Sequence, residues 1–376
     1  MTQIGFRTAW FALLACCALL AGGALPARAS EDRAPLVYAG KVGKADVVLK
    51  LERFDDGVIG RYFYTRHRLD IPLEGDWRGD NLALTSDATG DRLNLRVKGN
   101  ALTGTLITAK GKSVATGLQR VDFAAPVDPH IAALLPQLSP YDQLQLAGLS
   151  LIPGEVSQRD GRTVRNYREP VSGISLFRIE SGYPAEALRR LNTMLERQHL
   201  REVSVWFGCP GFDGAPGMDI SEAGTPWLSE NYVSYDWTSS WTCAGTAHPD
   251  FGSEGHTYDV RTGREIALDE ILHFGSTAPP AEGDDKFYTY RGEVFAPAVV
   301  ALLRKLYPEE FPARTAGEQV ADDECDYGDA EVWAFPSWYL DGDGLHLGAV
   351  FPRVMRACDT PEWSIIPWDH LPKPLP

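Results

Sequence analysis

The sequence lacks a long apolar run after its first 30 residues, an excess of basic charge, and the short motifs of common enzyme classes. No later stretch approaches the roughly 20 apolar residues that span a bilayer. Lysine and arginine total 36 against 51 aspartate and glutamate residues, for a formal net charge of −15. This acidic balance argues against nucleic acid and anionic membranes as partners. Because G-x-S-x-G, S-x-x-K and H-E-x-x-H are also missing, the sequence assigns no nucleophile or zinc-protease motif.

The amino terminus has the pattern of a secretory leader. Arg7 precedes a mostly apolar run at residues 9–25, and a small-x-small cleavage site follows at residues 27–29. We therefore expect a signal peptide over residues 1–29 and a periplasmic or secreted mature chain. Its removal takes away two arginines and no acid, so the net charge changes from −15 to −17. A lipoprotein anchored at Cys16 is the alternative.

Few cysteines remain after such processing. Cys16 and Cys17 belong to the leader, and the mature chain keeps Cys209, Cys243, Cys325 and Cys358. An even number of thiols in an oxidising compartment predicts disulfides, and no C-x-x-C motif indicates redox chemistry. Four cysteines permit three connectivities. We favour Cys209–Cys243 and Cys325–Cys358, because each closes a loop of about 30 residues and would contribute roughly 3 kcal/mol.

Two folded regions are predicted, and together they give an α+β class. Residues 30–124 contain short strands separated by glycine-bearing turns, which predicts an antiparallel all-β meander, either a small barrel or a sandwich. Residues 125–169 are predicted as a partly ordered connector, in which residues 141–151 form a short helix or a strand. Residues 170–376 mix helical and strand patterns, which predicts a small sheet backed by helices.

Hydrophobic spacing locates the main elements of the carboxy-terminal region. Three leucines at helical spacing predict a helix over residues 184–199. Residues 203–207 and 232–241 are predicted as strands, and residues 257–267 as a hairpin. A second helix is predicted over residues 295–307, with its apolar side chains on one face.

Several short segments of this region occur in the order found in one bacterial family. They are Tyr-Val-Ser-Tyr at 232–235, Gly-Thr-Ala-His-Pro at 245–249, Tyr-Asp-Val-Arg-Thr-Gly-Arg at 258–264, Leu-Asp-Glu-Ile-Leu at 268–272, Asp-Gly-Leu-His-Leu at 343–347 and Ile-Pro-Trp at 366–368. Residues 170–375 thereby resemble the RsiV-like extracytoplasmic domain, whose function is largely unknown. The resemblance implies an α+β fold. The family includes the sensor portion of a lysozyme-responsive anti-sigma factor and a domain attached to a peptidoglycan deacetylase, so it implies an envelope ligand and no catalytic residue.

Aromatic and imidazole side chains around the strand at 232–241 are the candidate ligand-binding groups. Flat aromatic faces stack on sugar rings, and alternation along a strand sends some side chains to the core and others to a surface. The candidates are Tyr235, Trp237, Trp241, His248 and His256. The two histidines, with Asp250 and Glu254, also form a cluster that admits three interpretations: plain loop structure, a metal site, or acid–base chemistry. Its spacing matches no established motif, so we assign no metal, cofactor or catalytic residue.

These features predict an exported, non-catalytic envelope protein that binds a ligand through its carboxy-terminal region. The expected ligand is an extracytoplasmic protein, such as a lysozyme-like cationic protein, or a peptidoglycan fragment. The alternative is a cell-wall-modifying hydrolase or metal-assisted enzyme centred on His248 and His256. A third interpretation is a structural accessory without a ligand pocket.

Overall fold

The computed structural model describes residues 35–55, 57–123, 126–275, 278–312 and 324–371. The predicted signal peptide and the alternative lipid anchor at Cys16 lie outside the described residues. The described chain is an α+β protein composed mostly of strands, in which an antiparallel barrel precedes a region of small sheets and helices. This confirms the predicted fold class. None of the described helices is long and apolar enough to cross a membrane.

Within the described part of residues 35–123, eight strands close into a barrel. They are β1 Leu36–Val42, β2 Ala45–Phe54, β3 Gly57–Tyr64, β4 Ile71–Arg78, β5 Asn81–Thr85, β6 Arg92–Lys98, β7 Ala101–Ile107 and β8 Ser113–Arg120. Each strand pairs antiparallel with the next, and β1 pairs with β8. Alternate side chains, among them Leu49, Leu51 and Leu102, fill the interior and are fully buried. Of the two predicted architectures, the barrel is the observed one.

The barrel closes where β1 meets β8, and a glycine permits the close approach of these strands. Gly40 lies opposite Leu118 in the register. A Cβ atom at Gly40 would stand 2.2 Å from the carbonyl oxygen of Gly117. Any side chain at this position would push β1 and β8 apart, so closure of the barrel depends on the glycine.

Two short helices follow the barrel, and the second of them packs on its outer face. They are α1, Pro129–Leu134, and α2, Pro140–Leu146. The segment predicted as either a short helix or a strand is therefore helical where it begins. Tyr141 of α2 packs edge-on against Phe63 of β3, with ring centroids 5.1 Å apart. Aromatic packing thus joins the barrel to the chain that follows it.

A buried aspartate also joins α2 to the barrel. Asp70 is 2% exposed, and its Oδ1 accepts hydrogen bonds from the Tyr141 hydroxyl at 2.7 Å and from Gln145 Nε2 at 2.8 Å. Arg61 Nε lies 3.3 Å from Asp70 Oδ2. Burial raises the pKa of Asp70 to about 6, and the Arg61 charge and the two hydrogen bonds offset this effect only in part.

An antiparallel sheet follows, with strand order β11, β10, β9. Its strands are β9 Ile152–Arg159, β10 Arg162–Arg168 and β11 Ser175–Ser181. The first two strands come from the segment predicted as a connector, and the third comes from the predicted α+β region. Strand pairing therefore crosses residue 170. β11 packs on the helix α3, Ala185–Phe207.

Helix α3 extends beyond its predicted end. The sequence predicts a strand over residues 203–207, and this prediction is wrong, because these residues are the last of α3. Leu195, His199, Val203 and Phe207 follow one another every four residues, and all are fully buried. This spacing continues the helical stripe that faces the core. Burial of the stripe outweighs the strand preference of β-branched residues such as Val203.

The long strand predicted over residues 232–241 lies in the next sheet and is confirmed. The strands of this sheet are β12 Met218–Ala223, β13 Trp227–Leu228, β14 Tyr232–Trp241 and β15 Asp250–Asp259. β14 pairs antiparallel with β12 and β13 on one side and with β15 on the other. The hairpin predicted over residues 257–267 takes the form of an isolated bridge between Tyr258 and Glu265.

A smaller sheet packs on the face of the β14–β15 hairpin that is turned away from α3. Its strands are β16 Ser337–Leu340, β17 Gly344–Gly348 and β18 Ile365–Pro367. The Leu340 backbone N–H donates to Ser234 Oγ at 2.9 Å. A Cβ atom at Gly255 would stand 1.6 Å from the Trp338 carbonyl oxygen, so glycine allows the two sheets to meet closely.

The remaining helices pack against this smaller sheet. They are α4 Leu268–Ile271, α5 Asp285–Tyr290 and α6 Ala296–Leu306, with a π-helical turn at Arg291–Phe295 between the last two. The helix predicted over residues 295–307 is thus confirmed. Val299 and Leu303 of α6 are buried in one cluster with Leu345 of β17 and Ile366 of β18.

Disulfide bonds join Cys209 to Cys243 and Cys325 to Cys358, which is the connectivity favoured from loop length. The first bond ties Cys209, two residues after the end of α3, to the segment that follows β14. The second bond belongs to the core around α6. The carboxy-terminal region is therefore cross-linked at two distinct places within the described residues.

Candidate functional site

A cavity of about 460 Å³ lies between α3 and the β14–β15 hairpin, and is called the α3–hairpin cavity below. Side chains at odd positions of β14 face α3. Val233 and Tyr235 are fully covered there, whereas Trp241 is only partly buried. The volume is within the usual range of small-molecule sites. The lining residues that have polar or aromatic side chains are Gln198, Arg201, Glu202, Trp237, Ser239, Trp241, Ser253 and Glu254.

The predicted aromatic residues divide between this cavity and the core. Trp237 and Trp241 line the cavity. Trp237 is 3% exposed, and its Nε1–H has no hydrogen-bond partner among the described residues. Tyr235 is 1% exposed and packs edge-on against Phe177, with ring centroids 5.3 Å apart. The two indoles therefore lie at the wall of the cavity, whereas Tyr235 is a core residue.

A chain of hydrogen bonds runs from the cavity into the core. Gln198 Nε2 donates to Glu202 Oε1 at 2.6 Å and lies 3.2 Å from His256 Nε2. Because the amide nitrogen can only donate, His256 Nε2 accepts, and its Nδ1–H donates to Glu265 Oε1 at 2.8 Å. Arg201 Nη1 donates to Gln198 Oε1 at 3.1 Å. Each polar atom of the Gln198 amide is thereby used, which fixes its orientation.

The surroundings of Glu202 favour its protonated form. Burial is the largest cause and raises the pKa of Glu202 to about 7, and the negative charge of Glu254 adds to the shift. The charge of Arg201 and the hydrogen bond from Gln198 act in the opposite direction without cancelling it. Near neutral pH, Glu202 can therefore both hold and release a proton, which is the property required of a general acid.

Sequence reasoning missed Gln198 and Glu202. The two residues are four positions apart on α3, so their side chains lie on the same helix face. Because the helix is predicted to end at residue 199, the sequence pattern does not place Glu202 on a helix. The signal that could have revealed this pair is the helical stripe continuing through Val203, which places polar residues 198 and 202 directly beside the core stripe.

The structure separates the histidines that form one cluster in the sequence. His256 is 2% exposed within β15, whereas His248 is exposed in the loop that joins β14 to β15. The strand residues from Asp250 to His256 alone span about 20 Å. Asp250 pairs instead with Arg356, at 2.9 Å. Among the described residues, no group of three or more His, Cys, Asp or Glu side chains could hold a metal ion.

Two of the other cavities have no tryptophan in their described lining. One of them, of about 540 Å³, lies between β10–β11 and the end of β12. Glu222 is the one carboxylate among its described lining residues. Another, of about 260 Å³, separates the β14–β15 hairpin from β16 and β17. Tyr339 stacks there on His346, with ring centroids 4.4 Å apart. The α3–hairpin cavity is therefore the candidate site, because it combines indoles with a proton-exchanging carboxyl group.

No protein-family model and no curated protein matches this chain. The side chains of the α3–hairpin cavity are therefore the basis for assigning a role to the protein.

Proposed function

We propose that this is an exported envelope protein with an RsiV-like carboxy-terminal region, and that it binds a cell-wall glycan in the α3–hairpin cavity. The observation that carries the proposal is the presence of Trp237 and Trp241 at one cavity, with no partner for the Trp237 Nε1–H among the described residues. Sugar rings offer apolar faces that stack on indoles, and their hydroxyl oxygens accept hydrogen bonds from an indole N–H.

Polar side chains beside the indoles complement the hydroxyl groups of a sugar. Arg201 donates hydrogen bonds, Ser239 both donates and accepts, and Glu254 accepts. A small number of polar groups converging on an apolar wall is the usual composition of a small-molecule site. The mixture of donors and acceptors favours a ligand rich in hydroxyl groups over a purely apolar one.

The disulfide bonds support an oxidising location. Cys209–Cys243 and Cys325–Cys358 are both formed, and such bonds persist in secreted and periplasmic proteins. The leader predicted over residues 1–29 would deliver the chain to the same compartment. Peptidoglycan fragments are abundant there, so the expected partner and the expected location agree.

A cationic protein partner is the second candidate, and the acidic composition favours it. The chain carries 51 acidic residues against 36 lysines and arginines. The RsiV-like resemblance points to a lysozyme-like protein as the partner of this class. Such binding should weaken as salt is raised, whereas stacking on a neutral sugar should change little. Titrations of both ligands at low and high salt therefore separate the two candidates.

Replacing Trp241 with alanine should weaken glycan binding by about 2- to 13-fold, because a stacked aromatic face contributes about 0.5–1.5 kcal/mol. Trp241 is chosen because it is only partly buried, so its loss leaves the core intact. The measurement is isothermal titration of the mature chain with a tetramer of N-acetylglucosamine, together with sedimentation on purified peptidoglycan.

Trp227→Ala is the matched control for this experiment. Trp227 is also partly buried, but it packs against Trp368 with ring centroids 5.2 Å apart and does not line the cavity. This variant should bind the glycan as tightly as the wild-type protein does. Equal affinities for Trp241→Ala and the wild-type protein, or an equal loss in both variants, would contradict the proposal.

A further inference from the structure

Among the described residues that line the α3–hairpin cavity, two bear carboxyl groups, and they come from different elements. Glu202 lies on α3, and Glu254 lies on β15 directly opposite Trp237 of β14. We infer that the cavity hydrolyses a glycosidic bond of the oligosaccharide that it binds, with Glu202 as the proton donor and Glu254 as the base that activates water. This inference rests on the proposed glycan binding, and it departs from the non-catalytic role expected from the sequence.

The two carboxyl groups occupy contrasting surroundings. Glu202 is partly buried, and its burial together with the charge of Glu254 raises the pKa of Glu202 to about 7. Glu254 is exposed to solvent, so water reaches it. Unlike environments allow one carboxyl group to hold a proton while the other accepts one, which is the division of labour in glycoside hydrolysis.

The hydrogen bonds of Glu202 leave one of its oxygens for the substrate. Gln198 Nε2 donates to Oε1, so Oε1 acts as an acceptor and Oε2 is the oxygen that can carry the proton. His256 and Arg201 hold the Gln198 amide in turn. The carboxyl group is thus oriented through an oxygen that does not take part in proton transfer.

The reaction is an ordinary hydrolysis and balances without a change of oxidation state. Glu202 Oε2–H protonates the glycosidic oxygen, the bond between that oxygen and the anomeric carbon breaks, and its electron pair leaves with the oxygen. Water adds to the anomeric carbon, and its proton passes to the Glu254 carboxylate. Solvent then removes the proton from Glu254 and reprotonates Glu202.

The test measures new reducing ends released from purified peptidoglycan glycan strands by the full mature chain. Glu202→Gln and Glu254→Gln should each lower the rate by about 100- to 10,000-fold, because an amide supplies no acidic proton and no basic oxygen. The matched control is Glu230→Gln, since Glu230 is an exposed acid in the turn before β14 and lies outside the cavity lining. This control should cleave at the wild-type rate.

The pH profile of the wild-type protein gives a readout that does not depend on any variant. The cleavage rate should fall as pH rises through about 7, because Glu202 then loses the proton that it must donate. A rate that keeps rising from pH 7 to pH 9 would overturn the assignment of Glu202 as the proton donor.

Sedimentation with glycan strands on the same samples separates binding from cleavage. Wild-type protein that sediments with the strands but releases no reducing ends overturns the hydrolysis and leaves the proposed binding intact. Either glutamine variant cleaving at the wild-type rate also overturns the inference. Wild-type protein that neither binds nor cleaves overturns both the proposed function and this inference.

Discussion

Replacing Cys209 and Cys243 with serine should lower the free energy of unfolding by about 3.5 kcal/mol and should also weaken glycan binding. The bond links residues 34 positions apart, and restriction of the unfolded chain accounts for the stability effect. The same replacement at Cys325 and Cys358 should cost nearly as much stability, because these residues are 33 positions apart. The two double variants should therefore lose similar amounts of unfolding free energy.

Glycan binding should distinguish the two bonds because they differ in position. Cys209 and Cys243 both line the α3–hairpin cavity, where they tie the end of α3 to the segment after β14. Their bond therefore holds Glu202 on the helix close to Trp241 on the strand. The second bond belongs to the core around α6 and does not line this cavity.

Urea denaturation gives the unfolding free energies of the wild-type protein and the two double-serine variants. Titration with the N-acetylglucosamine tetramer in native buffer gives their affinities. We expect similar losses of stability and a loss of affinity confined to the Cys209, Cys243 variant. A loss of affinity in both variants, or in neither, would contradict the assignment of ligand binding to the cavity.

Local sequence patterns predict most of the secondary structure because they report burial over a few neighbouring residues. The alternation at residues 232–241 predicts β14, and the four-residue spacing within residues 295–307 predicts α6. The disulfide connectivity follows from loop length for a similar reason, since short loops close most readily. None of these predictions needs knowledge of distant contacts.

Closure of the barrel and the end of α3 depend on contacts that local patterns do not contain. A barrel differs from a sandwich here because β1 pairs with β8, which brings together residues as distant in sequence as Tyr38 and Arg120. At residues 203–207, β-branched side chains favour a strand locally. Because Val203 and Phe207 pack into the core, these residues form a helix instead.

The sequence reveals half of the candidate site. Trp237 and Trp241 are visible because they share one face of a single predicted strand. Glu202 reaches the same cavity from a helix that precedes this strand in the chain, and only tertiary packing brings the two together. The raised pKa of Glu202 is also a tertiary property, since its largest cause is burial. His248 and His256 show the converse, because the extended strand that begins at Asp250 carries His256 away from the loop that holds His248.

Replacing Asp70 with alanine should destabilise the protein at pH 7 by about 1–3 kcal/mol for each buried hydrogen-bond donor that it leaves without an acceptor. The Tyr141 hydroxyl and Gln145 Nε2 both donate to Asp70 Oδ1, and Arg61 lies beside Oδ2. Alanine would leave these groups without their acceptor. Asp70→Asn is the control that keeps an oxygen at the Oδ1 position, and it should cost less. Urea denaturation measures both, and equal losses would contradict a hydrogen-bonding role for Asp70.

The pH dependence of stability also tests Asp70. Because its pKa is raised, its contribution to stability should fall as pH rises, whereas that of a carboxylate with a lowered pKa rises. The pKa of Asp70 is about 6 in the folded state, against about 3.9 for an unfolded aspartate. Between these values the folded state binds more protons, so the pH-dependent part of the Asp70 contribution is fully present below pH about 4 and is lost as pH rises through about 6. The stability difference between the wild-type protein and Asp70→Asn should therefore shrink by about 2–3 kcal/mol from pH 4 to pH 7. Denaturation curves at unit pH steps measure this difference, and parallel profiles for the two proteins would show that burial does not raise the pKa of Asp70.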